Sequence, residues 1–245
     1  MKVEGSAVVV TGGQRGLGKA LVEAFLDRGA AKIYATARTP QADGDERVVP
    51  LPLDITDPAS VASLAAQAGD ATIVVSNAAA QHRHKLIGAE FHDVQALFET
   101  NVYGSLRVAQ SFAPVLGRNG GGALVNIMSI MSWSVATDAG NATYAATKAA
   151  LWSLTNSLRV ELAPQKTQVV GVHLGYLQTD MTTALDVHKL DPAAAAAIIV
   201  EGIAADAAEV LVDDDCRRAK ALLSGPPEGL AFTFVDGRIA FAADM

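Results

Sequence analysis

The chain has 245 residues and a net charge of −7 at pH 7; half of its residues are hydrophobic and 18% are charged. That composition supplies a buried core and excludes a disordered chain, and the acidic balance argues against nucleic acid as a partner. The single cysteine, Cys216, excludes an internal disulfide and a cysteine-based metal cage.

The first residues run straight into a strand-like segment, without the apolar stretch of a signal peptide. The longest apolar stretch, Ala193 to Val200, is too short to span a bilayer. A cytoplasmic protein with no membrane attachment is expected. Ala7 to Val10 is a β-branched run ending at Gly12-Gly13, the pattern of a strand buried on both faces. Lys19 to Asp27 has helical spacing and Gly29 stops it. Lys32 to Ala37 predicts a second strand. Val48 to Leu53 predicts a third, at an edge because of Pro50 and Pro52. Asp57-Pro58 opens the next helix as an N-cap followed by proline. Thr72 to Val75 predicts a fourth strand, and Phe91 to Leu116 one long helix. Ala123 to Met128 predicts a fifth strand, Thr143 to Leu162 a helix apolar on more than one side, and Val169 to Leu174 a sixth strand. Strands alternating with helices mean an α/β chain with a doubly wound parallel sheet flanked by helices. Residues 1–245 are expected to form one domain.

Thr11-Gly12-Gly13-Gln14-Arg15-Gly16-Leu17-Gly18 lies at the first strand–helix junction. A helix N-terminus there offers unpaired N–H groups to a pyrophosphate, and glycine allows close backbone approach. The literal G-x-G-x-x-G pattern is absent; the spacing is T-G-x-x-x-G-x-G. An NAD site wants an acid about 20 residues further on. Ala35-Thr36-Ala37-Arg38-Thr39 has none there. Arg38 instead suits a 2′-phosphate, with Arg15 as a second cation. NADP(H) is therefore favoured over NAD(H).

Tyr144 and Lys148 stand four apart, on one helix face. A free tyrosine has a pKa of about 10, and a nearby ammonium is expected to lower it. Such a pair alone is close to chance. Its context is the fifth strand, which ends in Asn126-Ile127-Met128-Ser129, because doubly wound folds bind ligands at strand carboxyl ends. Ser129 can polarise a carbonyl by donating a hydrogen bond, with Ser132 and Ser134 as rivals.

Over about residues 5–182 the chain resembles the classical short-chain dehydrogenases/reductases, whose fold is Rossmann-type. The matching pieces are the Thr11–Gly18 loop, Leu53-Asp54-Ile55, Ser76-Asn77-Ala78-Ala79, Asn101, Ser129, Tyr144 with Lys148, and Gly175 through Thr179-Asp180-Met181. The resemblance implies cofactor contacts from Gly12, Gln14, Arg15, Gly16, Leu17, Gly18 and Arg38. It implies that Asp54 and Ile55 bracket the adenine and that Asn77 and Ala78 line the cofactor. Thr179, with the backbone near Leu177, would grip its carboxamide or pyrophosphate side, and Lys148 its ribose. Tyr144 would be the acid in reduction and the base in oxidation, and Asn101 would hold a water relaying protons to Lys148. A substrate lid is implied near 182–192. Ser76 and Ala79 stand where the family has asparagine and glycine, and Leu174 where it has proline. The Ser129–Tyr144 spacing is longer than usual, which keeps Ser132 in contention. The segment 205–245 is atypical: Phe232 to Gly237 resembles the last family strand, but Asp236-Gly237 also reads as a hairpin turn.

His82, His84 and His92 lack the carboxylate or cysteine spacing of a metal site, and none is expected. Apolar outer faces on the long helices, with Trp152, Leu154 and Leu158, point to a homodimer or homotetramer. The expected activity is hydride transfer between NADP(H) and a small-molecule carbonyl or secondary alcohol. A dehydratase or epimerase of the same fold, and a non-catalytic NADP(H)-binding regulator, are the alternatives.

Overall fold

Four consecutive residues with three valines leave a strand no polar face, and β1 (Ala7–Val10) accordingly has Val8, Val9 and Val10 without exposed surface. The structure is a computed structural model that describes residues 1–245 except Asp43, His84, Ala139 and Met245. After β1 come α1 (Gly16–Asp27), β2 (Lys32–Ala37), β3 (Val48–Pro52), α2 (Pro58–Gln67) and β4 (Ile73–Ser76). Then follow α3 (Phe91–Phe98), a π-helical stretch (Glu99–Gly104), α4 (Ser105–Arg118), β5 (Gly122–Ile127) and β6 (Val135–Ala136). The last elements are α5 (Ala142–Leu162), β7 (Thr167–His173), α6 (Pro192–Ala204), β8 (Glu209–Leu211), α7 (Asp214–Ala221), β9 (Ala231–Val235) and β10 (Arg238–Phe241).

Seven strands form one sheet in the order β3-β2-β1-β4-β5-β7-β8, every pair parallel. The chain winds outward from β1 to β3, then crosses back to β4 and winds the other way. The crevice at that reversal, beyond the carboxyl ends of β1 and β4, is where such sheets bind ligands. One face is packed by Leu21 and Phe25 of α1 with Ile199 and Ile203 of α6. The other is packed by Leu64 of α2, Phe112 and Leu116 of α4 and Leu162 of α5. The Asp57 carboxylate accepts from the Ala59 N–H, as the cap-and-proline pattern predicts.

The stretch expected as one helix from 91 to 116 is two α-helices joined by the π-helical residues 99–104. A π turn carries an extra residue, and such turns gather at functional sites; this one holds Asn101. The C-terminal ambiguity resolves toward the hairpin. β9 and β10 pair antiparallel, with Asp236 at φ 48° and Gly237 at φ 74° in the turn, the signs a type I′ turn requires. β9 also pairs with β6, giving a separate three-stranded sheet, β10-β9-β6. The seventh strand of the main sheet is the short β8, which pairs with β7.

His173 closes β7 and is wholly buried. Its ring stacks on Trp133 at 3.7 Å, and Nδ1 lies 3.2 Å from the Ser129 carbonyl oxygen. Only an N–H can satisfy that carbonyl, so Nδ1 carries the proton. Nε2 is 3.6 Å from the Glu209 carboxylate, which is itself paired with Lys220. Burial pushes the imidazole down to about 3; the Ser129 carbonyl pulls it up, and Lys220 and Lys148 add to the lowering. The folded state therefore keeps His173 neutral where an unfolded chain would protonate it, at about pH 6.5. Acidification from there favours the unfolded chain by about 1.4 kcal/mol per pH unit, until carboxylate titration takes over below about pH 4.5. Denaturant unfolding of the wild type and His173→Gln across that window checks this: glutamine should flatten the slope, and an unchanged slope would exclude His173 as its source.

Candidate active site

β1 delivers the glycine loop to the crevice. Thr11 is buried, and its hydroxyl accepts from the backbone N–H groups of Asn77 and Ala78, both at 2.9 Å. The Asn77 amide in turn donates to the carbonyls of Thr11, at 2.9 Å, and Gly12. The ends of β1 and β4 are thereby laced together. No side chain among the described residues caps α1, whose first turn also lacks an acid. Its N–H groups and positive dipole end are thus left to a ligand. A Cβ on Gly18 would lie 2.0 Å from the Gly12 carbonyl oxygen, so this turn closes only on glycine. Thr179 comes over the loop from the far side: a Cβ on Gly16 would sit 3.3 Å from its methyl carbon. Leu177 is buried beside it, its carbonyl accepting from the Thr179 N–H at 2.9 Å. A cradle of free N–H groups with no room for side chains fits a dinucleotide diphosphate.

Arg38 and Arg15 both stand exposed. Asp54 lies within the field of Arg38, and hydrogen bonds from Thr56, reinforced by that guanidinium, hold its carboxyl below the ordinary value. Gln14 ties the glycine loop to the loop that carries Arg38. Its amide nitrogen donates to the Gln41 carbonyl at 2.7 Å and its oxygen accepts the Gln41 N–H at 2.9 Å. Ile55 is buried against the π turn at Gly104.

Ser129 leaves β5 pinned to the end of β7. Met128 N–H donates to the Val172 carbonyl at 2.7 Å and Ile130 N–H to that of Leu174 at 2.9 Å. The Ser129 hydroxyl accepts from Met131 N–H at 3.1 Å and lies near enough to the Tyr144 phenol to pull its pKa down. Ser132 is buried with no partner for its hydroxyl, and the hydroxyl of Ser134 donates to the Ile130 carbonyl. Ser129 is thus the serine that meets Tyr144. Lys148 is 3% exposed; its ammonium donates to the Ile127 carbonyl at 2.8 Å and lies 5.5 Å from the centre of the Tyr144 ring. Burial pushes Lys148 down to about 8. Burial pushes Tyr144 up to about 12, against an opposing pull from Ser129. The expected lowering of the phenol by Lys148 is thus corrected: desolvation outweighs the ammonium.

Asn101 is 1% exposed. Its oxygen accepts the Ala80 N–H at 2.8 Å, and its nitrogen donates to the Ala80 carbonyl at 2.9 Å and the Thr147 hydroxyl at 3.1 Å. The side chain ties the exit of β4 to α5, with both ends of its amide engaged by protein groups. Two of the expected outward residues are half-buried: Trp152 packs edge-on against Trp133, with ring centres 6.1 Å apart, and Leu158 packs on the α2–α4 side of the core. His82 is exposed, His92 pairs with Asp93 at 3.1 Å, and His84 lies outside the described residues. No helix among the described residues is long and apolar enough to cross a membrane.

Sequence reasoning missed the Thr11 clamp, for which a threonine before the glycines was the only signal, and the Gln14 tie. It also missed Tyr176, half-buried, its phenol raised by burial and lying in the fields of Asp138, Arg83 and Tyr144. Arg83 and Asp138 pair at 3.0 Å beside it.

The family model of the short chain dehydrogenases matches residues 6–189. The 3-oxoacyl-[acyl-carrier-protein] reductase FabG of Salmonella typhimurium is 32% identical over 197 residues, 76% of this chain and 79% of that protein. A short chain dehydrogenase from Burkholderia cenocepacia, solved in complex with NADP, is 33% identical, with a TM-score of 0.86 over 92% of this chain and 95% of that one. A 3-ketoacyl-(acyl-carrier-protein) reductase from Brucella melitensis, complexed with NADH, shares the fold at 22% identity and a TM-score of 0.77, covering 85% of this chain and 96% of that one. With its doubly wound sheet and Ser129, Tyr144 and Lys148 at the crevice, the chain belongs to the short-chain dehydrogenase/reductase family of oxidoreductases.

Proposed function

We propose that the chain is an NADP(H)-dependent reductase that interconverts a carbonyl compound and a secondary alcohol. The observation that carries this is the grouping of Ser129, Tyr144 and the buried Lys148 ammonium, which lies 5.5 Å from the centre of the Tyr144 ring. NADPH, when bound, supplies the hydride. Ser129 donates a hydrogen bond to the substrate carbonyl and draws negative charge toward its oxygen. Tyr144 gives its proton to the oxygen as that charge develops. A phenol pushed up to about 12 keeps its proton at neutral pH, which is the state a donor requires. Lys148 offers its remaining N–H bonds to hydroxyl oxygens of the cofactor ribose. Asn101 positions α5 by holding Thr147, one residue before Lys148.

Gly12, Gly16 and Gly18 shape the diphosphate cradle, with Leu17 at the start of α1 and with Asn77, Ala78, Leu177 and Thr179 around it. Asp54 and Ile55 line the adenine side. Arg38 and Arg15 are the cations for a 2′-phosphate, and Gln14 keeps the Arg38 loop in place. The NADP complex of the Burkholderia relative supports this choice. Exposed Tyr103 and Val160 on the helices of one side support a homodimer or homotetramer, and light scattering is expected to return two or four chain masses.

Tyr144→Phe is expected to lower kcat/KM for ketone reduction by about 10²- to 10⁴-fold and to leave NADPH affinity, read by fluorescence titration, nearly intact. Reduction should be insensitive to pH near neutrality. Oxidation needs the phenolate and should gain about tenfold per pH unit up to about pH 8, above which Lys148 loses its charge. NADPH binding without turnover of any carbonyl would overturn the proposal.

Arg38→Ala is expected to weaken NADPH binding by about 10- to 100-fold, the loss of one charge-assisted contact, with little change for NADH. Gln14→Ala should shift the same ratio by a smaller factor. Tighter binding of NADH than NADPH by the wild type would refute the cofactor assignment.

A further inference from the structure

β7 contains one ionisable side chain, His173, and no step of the proposed reaction uses it. The imidazole has no exposed surface. Buried in this way it makes the fold sensitive to acid, and an apolar side chain in its place would not. A group that lowers stability where an apolar one would not points to a task outside folding.

Its neighbours show the task. Ser129 opens a single short turn, Ile130–Ser132, which Trp133 closes. The Ser129 hydroxyl accepts from the Met131 N–H at 3.1 Å, so its own hydrogen is left to donate elsewhere. The Ser129 carbonyl accepts from the Ser132 N–H at 2.9 Å, and His173 Nδ1 lies 3.2 Å from the same oxygen. The His173 ring also lies flat on Trp133, with centres 3.7 Å apart and planes at 21°. The edge of Trp152 and the Lys220 ammonium, 5.8 Å from the ring centre, hold Trp133 on this ring. One imidazole therefore grips the turn at both ends, at Ser129 by a hydrogen bond and at Trp133 by stacking. The turn has little else to fix it. The Ser132 hydroxyl and the Trp133 indole N–H find no partner among the described residues, and the Ser134 hydroxyl returns to the Ile130 carbonyl within the same segment. On the far side of the imidazole, Nε2 faces the Glu209 carboxylate of β8 at 3.6 Å, and Glu209 pairs with Lys220 of α7.

We propose that His173 is a positioning residue for the reduction and that it acts through Ser129. Its N–H and its ring fix the turn, and the turn sets the direction in which the Ser129 O–H meets the substrate oxygen. This rests on the carbonyl-reductase reading above. A misdirected donor is felt most where charge on that oxygen is greatest, in the transition state, and little in the ground state. Loss of His173 therefore falls on kcat and spares KM.

The test follows reduction of acetophenone, 2,3-butanedione and ethyl acetoacetate by the wild type, His173→Phe, His173→Asn, Ser129→Ala and the double variant Ser129→Ala/His173→Phe. Phenylalanine keeps a ring on Trp133 and removes the N–H; the asparagine amide nitrogen takes the place of Nδ1. His173→Phe is expected to lower kcat by about 10-fold, short of the roughly 10²- to 10³-fold expected for Ser129→Ala, with KM for ketone and NADPH within about twofold. His173→Asn should recover most of the loss. Once Ser129 is alanine, His173→Phe should cost less than about twofold more, because two residues that act as one unit are not additive. Equal losses with and without Ser129, a loss carried by KM, or an asparagine variant as slow as the phenylalanine one would overturn the proposal. Nitrogen-15 NMR of the imidazole reads which ring nitrogen carries the proton, whether or not the protein turns over. A proton on Nδ1 is expected, and one on Nε2 would overturn the clamp on Ser129. If none of the three ketones is reduced by the wild type, the reductase reading fails, and the clamp stands or falls on that tautomer. Circular dichroism melts check folding; should His173→Phe unfold, His173→Leu in the same two backgrounds carries the decision.

Discussion

An ammonium 3% exposed inside an α/β protein is the constraint around which this site is arranged. Removing such a charge from water costs several kcal/mol, and the Ile127 carbonyl at 2.8 Å returns about 1.5–3 kcal/mol as a charge-assisted bond. The shortfall is visible as a lysine pushed down to about 8. Two consequences follow. The start of α5 must lie against the end of β5, because the Lys148 side chain spans from one to the other. The ammonium also has donor capacity beyond that one carbonyl, directed into the crevice where the proposed cofactor ribose would lie.

The same burial decides the state of the phenol. An ammonium near a tyrosine favours the phenolate, while desolvation favours the neutral form. Here the ammonium is 5.5 Å from the ring centre and engaged with a carbonyl, and desolvation wins, pushing Tyr144 up to about 12. That balance keeps the phenol protonated at neutral pH. Ser129 can serve both partners because its backbone is held by β7 and by the His173 ring. A neutral His173 is part of that support, and burial is the main reason that it stays neutral.

How much of this was legible in the sequence depends on how local each signal is. Runs such as Ala7 to Val10 and Lys32 to Ala37 mark their strands to the residue, because a strand buried on both faces tolerates almost no polar side chain. The glycine loop and the Tyr144–Lys148 spacing were equally plain, being set by backbone clearance and helical pitch. The π turn at Asn101 was not, since an extra residue in a helix leaves no mark in the apolar periodicity. β8 is three residues long, below what a pattern can resolve. The Asp236-Gly237 turn was readable as a turn, but its destination on β6 depends on contacts across about a hundred residues of chain. The phenol's pKa was misjudged because spacing reveals a neighbour and not the solvent that burial removes.

That last kind of information also separates the general from the particular in this chain. Phosphate cradle and proton donor sit at strand ends and a helix start, where the sheet's topology places them in any chain that folds this way. The β9–β10 hairpin has no such origin. It lies outside the main sheet and rests on a two-residue strand, β6, whose pairing it completes. A two-stranded hairpin is marginal on its own, so this one depends on Phe232 and Phe241 being buried under it. A residue changed in the hairpin's core would alter the position of β6, on the connection between Ser129 and Tyr144, without touching the groups that move protons.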